Sequence, residues 1–312
     1  MEIQALLITF REVLEALLIV GIITTYLKRT QNAEYTKFVW LGAGLAVLAS
    51  IGAAFLFQVV FTSFAAMGSE IYLKIGIMLI SSILLTQMVF WMAKHSKDLK
   101  GSMEGKMNQF VTTGNVIGMV IHSFLVVLRE GIETVFFFAA ITGGDIGKAL
   151  EGWGAITGAI IAATVCYFFF KGTMRIPLKT FFKVTGAFIV LIAAGLLVQG
   201  ISVMQDIKMI GSLIPHVYDL TWFLPEHPID HSHFLRDTGV APVFSGDVGI
   251  FFKALFGYSS MPSIEEIIAY LGYFAAIYLL VNVNGKSDSK AKKEGKQSMK
   301  TETADHQVKK TV

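Results

Sequence analysis

The chain has 312 residues, of which 54% are hydrophobic, 25 are Phe and only 16% are charged, and its formal net charge is +3 at pH 7. That composition is too apolar for a soluble globular protein of this size and makes an all-α polytopic membrane protein the expected fold class. The single cysteine, Cys166, excludes an intramolecular disulfide and argues against a thiolate metal site, so any metal chemistry falls to oxygen and nitrogen ligands.

Seven largely apolar runs, each near the ~20 residues that cross a hydrocarbon core, are predicted as transmembrane helices. The first, Ile3 to Leu27, carries Arg11-Glu12-Val13-Leu14-Glu15 in its middle. A charge at bilayer centre costs roughly 2.5 to 3.5 kcal/mol per residue, so it persists where it acts on an ion, a proton or a charged substrate. With no basic n-region before it, this run is expected to stay rather than be cleaved as a signal peptide. The second run, Phe38 to Phe61, is rich in Gly and Ala. Gly42, Gly44 and Gly52, with Gly154 and Gly158 of the fifth run, are expected to permit close helix packing. The third run, Ile71 to Ala93, has Glu70 at its outer mouth as a candidate access ligand, against a solvated helix-end carboxylate. Lys74 in this run and Lys183 in the sixth are expected to snorkel to the interface.

The fourth run, Val116 to Ile141, repeats the first motif as Arg129-Glu130-Gly131-Ile132-Glu133. His122, seven residues earlier on the same helical face, is a weaker candidate to receive a cation or protons leaving a central site, against a buried hydrogen-bonded histidine. The fifth run is Trp153 to Phe170 and the sixth Phe181 to Val203. Between residues 205 and 263 lies the one long loop, Pro-rich and expected to be structured or partly re-entrant, with a short amphipathic helix near Val248 to Phe256. It holds His216, Asp219, Glu226, His227, Asp230, His231 and His233, and Asp230-His231-Ser232-His233 is a candidate to capture metal or dock a partner protein, against a polar loop that binds nothing. The seventh run is Ile264 to Val283, and residues 285–312 read as a disordered Lys-rich cytoplasmic tail able to touch anionic lipid.

Lys and Arg follow the first, third, fifth and seventh runs, while the opposite loops are poor in both, so the N-terminus is expected outside and the C-terminus in the cytoplasm. Runs one to three (residues 1–100) and four to six (112–204) share a motif-bearing helix, a Gly/Ala-rich helix and a helix with an early Lys followed by Gly. An odd number of spans per unit reverses the second copy. The expectation is therefore two inverted three-helix repeats plus a seventh helix at 264–283, within a permease domain over 1–284, with the substrate site near the midplane where the repeats meet.

On a helix, Arg11, Glu12 and Glu15 project to one side within little more than a turn, as do Arg129, Glu130 and Glu133. Four carboxylates and two guanidiniums then carry −4 + 2 = −2 if all are ionised. Such a cluster calls for a cation, with Arg11 and Arg129 orienting Glu12, Glu15, Glu130 and Glu133 as the metal ligands. Oxygen donors favour hard ions such as ferric iron, Mn, Ca or Mg over Cu(I). The plain alternative is a pair of Arg/Glu bridges locking two helices together, which the excess of carboxylate over arginine disfavours.

An Arg-Glu-x-x-Glu motif in the first and fourth of seven spans resembles the high-affinity iron permease family, the oxidase-dependent ferric iron transporters of fungi and bacteria. The likeness extends over about residues 1–284, including Phe181-Phe182-Lys183-Val184-Thr185-Gly186 leading into Ala193-Ala194-Gly195. The family pattern has Gly at the third motif position, which Gly131 matches and Val13 does not. The resemblance implies import of Fe(III) across the cell membrane, supplied by a separate extracytoplasmic oxidase or peroxidase, with no permanently bound cofactor, no nucleic-acid partner and no enzymatic activity. Two other readings stand: a carboxylate-based divalent cation or proton antiporter, and a membrane subunit that binds iron without moving it. No nucleotide motif is present, so direct ATP coupling within this chain is not expected.

Overall fold

In the computed structural model, residues 2–66, 68–95, 99–172 and 178–281 are described, and among them the secondary structure is entirely helical. Each of the seven apolar runs is a helix. In chain order these and the shorter elements are α1 (Glu2–Arg29), α2 (Thr36–Ala66), α3 (Glu70–His95), α4 (Leu99–Thr112), α5 (Val116–Thr142), α6 (Ile146–Glu151), α7 (Trp153–Phe170), α8 (Leu178–Asp206), α9 (Pro228–Thr238), α10 (Gly246–Phe256) and α11 (Ile264–Val281). The tail at 285–312 and the last two residues of the seventh run lie outside the described residues.

Five of these helices, α2, α3, α7, α8 and α11, are long and apolar enough to cross a membrane, which makes this a membrane protein. α1 and α5 are just as long, at 28 and 27 residues, but each carries three charges in its interior.

The helices pair across the two halves of the chain. α1 packs most extensively on α7, α2 on α5, and α3 on α8, while α1 and α5 also meet each other. Small residues set two of these approaches. A Cβ on Gly154 or Gly158 of α7 would fall 2.1 Å from the Glu2 carbonyl oxygen or 2.4 Å from that of Leu6, and one on Gly42 of α2 would fall 2.4 Å from the Val120 carbonyl oxygen. Backbone meets backbone there, which side chains cannot relieve. Gly44 and Gly52, expected to serve the same purpose, face open space on the outer side of α2, where Leu45, Leu48, Ile51 and Phe55 are also exposed.

Helix ends are fastened by named groups. Asn115 caps α5 by accepting from the Gly118 N–H at 2.8 Å, and the Glu2 carboxylate accepts from Gly154 N–H at 2.8 Å at the start of α7. Ser263 and Glu266 form a reciprocal capping box at the start of α11, each side chain accepting from the other's backbone N–H at 3.2 and 3.1 Å. The chain divides into two units at this point, Met1–Glu266 and the residues from Ile267 onward, of which Ile267 to Val281 are described and carry exposed Ile268, Leu271, Tyr278 and Leu279.

α4 is a further helix between the third and fourth apolar runs. Met107 is fully buried among Ile19, Val20, Ile23 and Leu27 of α1, Val39 and Ala43 of α2, and Met119 and Val127 of α5, with Met103, Phe110 and Val111 packed alongside. The long loop at 205–263 is structured, as expected, with α10 close to the predicted segment. It is held by Glu226, which accepts from Ser260 N–H at 2.6 Å and Ser259 Oγ at 2.8 Å and pairs with Lys253.

Candidate metal centre

Arg11 is among the largest fully buried side chains in the protein. Its Nη1 donates to Glu12 Oε1 at 2.8 Å and contacts the sulfur of Met88 on α3. Its Nη2 lies 2.8 Å from Glu15 Oε1, a close ion pair whose N–H does not line up as a hydrogen bond. One guanidinium thus serves both glutamates of its own motif. On α5, Arg129 Nε donates to Glu133 Oε1 at 2.8 Å, and its guanidinium lies over the Trp91 ring of α3, 4.5 Å from the centroid.

The two copies are not environmental equals. The Arg11 side chain is 2% exposed and that of Arg129 45%. α1 is enclosed by α7, α5, α4 and α2, whereas α5 leaves the Arg129 side open.

Across the α1/α5 contact, Glu12, Glu130 and Glu133 each present a carboxylate oxygen, and these atoms lie within 4.8 Å of one another. Oε2 of each is buried and has no hydrogen-bond partner. Two ionised carboxylates at that separation repel by about 3 kcal/mol at an effective dielectric constant of about 20. A cation or protons would relieve this, and three converging hard oxygens from three side chains suit a hard cation. Glu15 stands apart, buried and held by Arg11.

α5 approaches α2 closely beside the cluster, because Gly131 leaves room for Ser50: a Cβ at 131 would fall 1.9 Å from the Ser50 hydroxyl. Val13, the departure from the family pattern, packs with Phe10 and Leu17 on the cluster of Leu14, Leu18 and Ala162 and also borders the cavity beside Glu12. A cavity of about 260 Å³ borders Glu12, Glu130, Ser50 and Thr134 and reaches Ile146 and Leu150 of α6, the end of the fold beyond the C-terminus of α5. Toward α4, the way from the carboxylates is filled by the apolar core around Met107.

Of the weaker candidates, none joins the cluster among the described residues. His122 is half-buried, with its ring 6.0 Å from Phe110 and its Nε2 without a partner. Glu70 is exposed at the first turn of α3. In the long loop, Glu226 is consumed by Lys253 and the serines, and His227 caps α9. Asp230, His233 and Asp237 lie on one face of α9 and line a cavity of about 430 Å³ with Asp219 and Glu226, and His231 is not among its lining residues. Met88 and Trp91 escaped the sequence reading, since an apolar residue that touches an arginine looks the same in sequence as one that touches lipid.

The chain matches the iron permease FTR1 family over residues 2–284. It is 32% identical over 276 residues to a protein of Yersinia pestis named ferrous iron permease EfeU, covering 88% of this chain and 91% of that protein. Likenamed proteins of Yersinia pseudotuberculosis and Escherichia coli O157:H7 are 32% and 30% identical over 88% and 86% of this chain, each with 90% of its own length covered. No solved structure matches the chain.

Proposed function

This chain belongs to the iron permease FTR1 family, and from that premise we propose that it imports iron through a mid-membrane site built from both copies of its Arg-Glu-x-x-Glu motif. The observation that carries this is the meeting of Glu12 from one copy with Glu130 and Glu133 from the other, one carboxylate oxygen of each within 4.8 Å of the others, with Oε2 of all three buried and unpartnered. Glu12, Glu130 and Glu133 are the primary iron ligands. Glu15, behind them on Arg11, accepts the ion as it moves on, and Arg11 and Arg129 orient the carboxylates.

Seven spans and two inverted repeats fit this reading. α1 and α5 fall short of the five apolar helices only through the charges that make the site. The exchange of partners, α1 with α7 and α5 with α2, is what a two-fold axis in the membrane plane would generate from residues 1–100 and 112–204. With the N-terminus outside, the cavity beside α6 is an outer vestibule and the core on α4 a closed inner gate of a plasma-membrane permease. Asp230 and His233 are placed to collect cations in the outer loop, where an oxidase or peroxidase partner would deliver them.

Hard carboxylate donors and three converging negative charges favour Fe(III). A second reading, Fe(II) import, is favoured by the name of the relatives and by the whole site's formal charge of −2, which a divalent ion would cancel. Purified protein in proteoliposomes, offered Fe(II) under reductant, Fe(III) citrate, or Mn(II), tests all of this. Fe(III) uptake lost in Glu130→Ala supports the first reading, Fe(II) uptake alone the second. Mn(II) or proton exchange without preference for iron would replace both with an antiporter.

A further inference from the structure

We propose that Met88 and Trp91 of α3 are positioning residues that hold the two site arginines behind the carboxylates, so that three carboxylate oxygens stay open for the cation. The inference rests on the iron-site reading above and adds to it a third helix, which carries no motif.

Met88 and Trp91 are three residues apart and so share one face of α3. Each meets one arginine: the Met88 sulfur accepts from Arg11 Nη1, and the Trp91 ring lies under the Arg129 guanidinium at 4.5 Å. α3 is itself well anchored. It packs along α8, where the Ser82 hydroxyl donates to the Ala193 carbonyl at 2.7 Å, and it touches α5.

An arginine beside an anionic cluster can do two opposite things. Held at the back, it fixes one oxygen of each glutamate and leaves the other free. Released, it swings onto the free oxygens and competes with the metal. The observed contacts enforce the first arrangement: Arg11 takes Glu12 Oε1 and Arg129 takes Glu133 Oε1, while Oε2 of Glu12, Glu130 and Glu133 remains without a partner. Arg129 depends on this most. Nearly half exposed, it has room to move, and its one carboxylate bond leaves the rest of the guanidinium to the Trp91 ring.

The test is equilibrium binding of radioactive iron to the purified, detergent-solubilised full-length protein, together with uptake kinetics in proteoliposomes. Trp91→Leu removes the ring quadrupole but keeps apolar bulk. It should raise the iron concentration for half-maximal binding by about two- to fivefold, as expected for a partly exposed cation–π contact. KM for uptake should rise in parallel with little change in maximal rate, Trp91→Phe should restore most of the affinity, and Met88→Leu should weaken binding by a few-fold. In an Arg129→Gln background, Trp91→Leu should have no further effect. Wild-type affinity in both Trp91→Leu and Met88→Leu overturns the proposal, as does an undiminished Trp91→Leu effect in the Arg129→Gln background. If the unsubstituted protein binds no iron, the iron-site reading itself falls and takes this one with it.

Discussion

Arg129 Nε donates to Glu133 Oε1 at 2.8 Å and makes no ion pair with Glu130, whereas Arg11 reaches both glutamates of its own motif. The four glutamates are therefore unequal. Glu130 is the acidic group most available to a cation, and Glu15 the one most committed to an arginine.

Substitutions should follow that order. Glu130→Ala is expected to reduce iron uptake at least a hundredfold with normal membrane abundance, because it removes a ligand that no arginine needs. Glu15→Gln keeps a polar partner for Arg11 and should lower uptake only about tenfold. Glu15→Ala leaves a fully buried guanidinium with half its neutralisation and should also lower abundance, since breaking a buried pair costs about 3 to 5 kcal/mol. Uptake assays normalised to protein in the membrane check this, and equal losses for Glu130→Ala and Glu15→Gln would contradict it.

Gly131 and Val13 occupy the same motif position with different consequences. Gly131→Val would drive its side chain into Ser50 and part α5 from α2, disrupting the carboxylate cluster. Adding Ser50→Gly should restore a measurable share of uptake for Gly131→Ala, the smaller intrusion. Val13→Gly should leave the affinity for iron unaltered and lower thermal stability by about 1 to 2 kcal/mol, mostly from lost packing of a partly buried side chain and less from helix propensity. Thermal unfolding of the detergent-solubilised protein and uptake kinetics separate the two effects.

Glu226 gives the long loop at 205–263 a defined pH response. Burial pushes its carboxyl up, but Lys253 and the hydrogen bonds from Ser259 and Ser260 outweigh this and hold it below the ordinary carboxylate range. A lowered value in the folded state means that its contribution is complete above the unfolded value, near 4.3, and is lost as pH falls through the folded one. Limited proteolysis of the loop should therefore show resistance at pH 7 that fades below about pH 4. Glu226→Gln should be cut readily at both pH values, and a loop equally resistant in that variant would show that Glu226 does not fasten it.

The long helices and both charged motifs were legible because seven apolar runs and a repeated pentapeptide are patterns in one dimension. α4 was not, because its apolar residues, Met103, Met107, Phe110 and Val111, form a stripe on a short and otherwise polar helix, and what buries it is α1 and α5 from distant sequence. The two motifs stood out in sequence, but the different surroundings of their two copies did not. The spacing of Arg11 and Glu15 is the same as that of Arg129 and Glu133, yet one arginine is enclosed and the other nearly half open, a difference set by neighbouring helices. In the long loop, ligand-type residues looked alike in sequence, but Glu226 and His227 hold the loop together while Asp230 and His233 face a cavity.

The glycines of α2 and α7 divide in the same way, and the division is testable. Gly42 and Gly158 each face a backbone carbonyl of the opposing helix, so Gly42→Leu and Gly158→Leu cannot be accommodated by moving a side chain. Both helices must separate, and because α5 lies on α2 and α1 on α7, either substitution displaces one half of the Glu12, Glu130 and Glu133 cluster from the other. Gly44 and Gly52 face open space, and replacing either by Leu gains helix propensity of somewhat under 1 kcal/mol without a clash. Gly44→Leu and Gly52→Leu should therefore bind and transport iron like the unsubstituted protein, while Gly42→Leu and Gly158→Leu lose transport. Loss of uptake in all four alike would show that the outer face of α2 is itself covered in the membrane, and the partner on that face would then have to be another copy of the chain or a second protein rather than lipid.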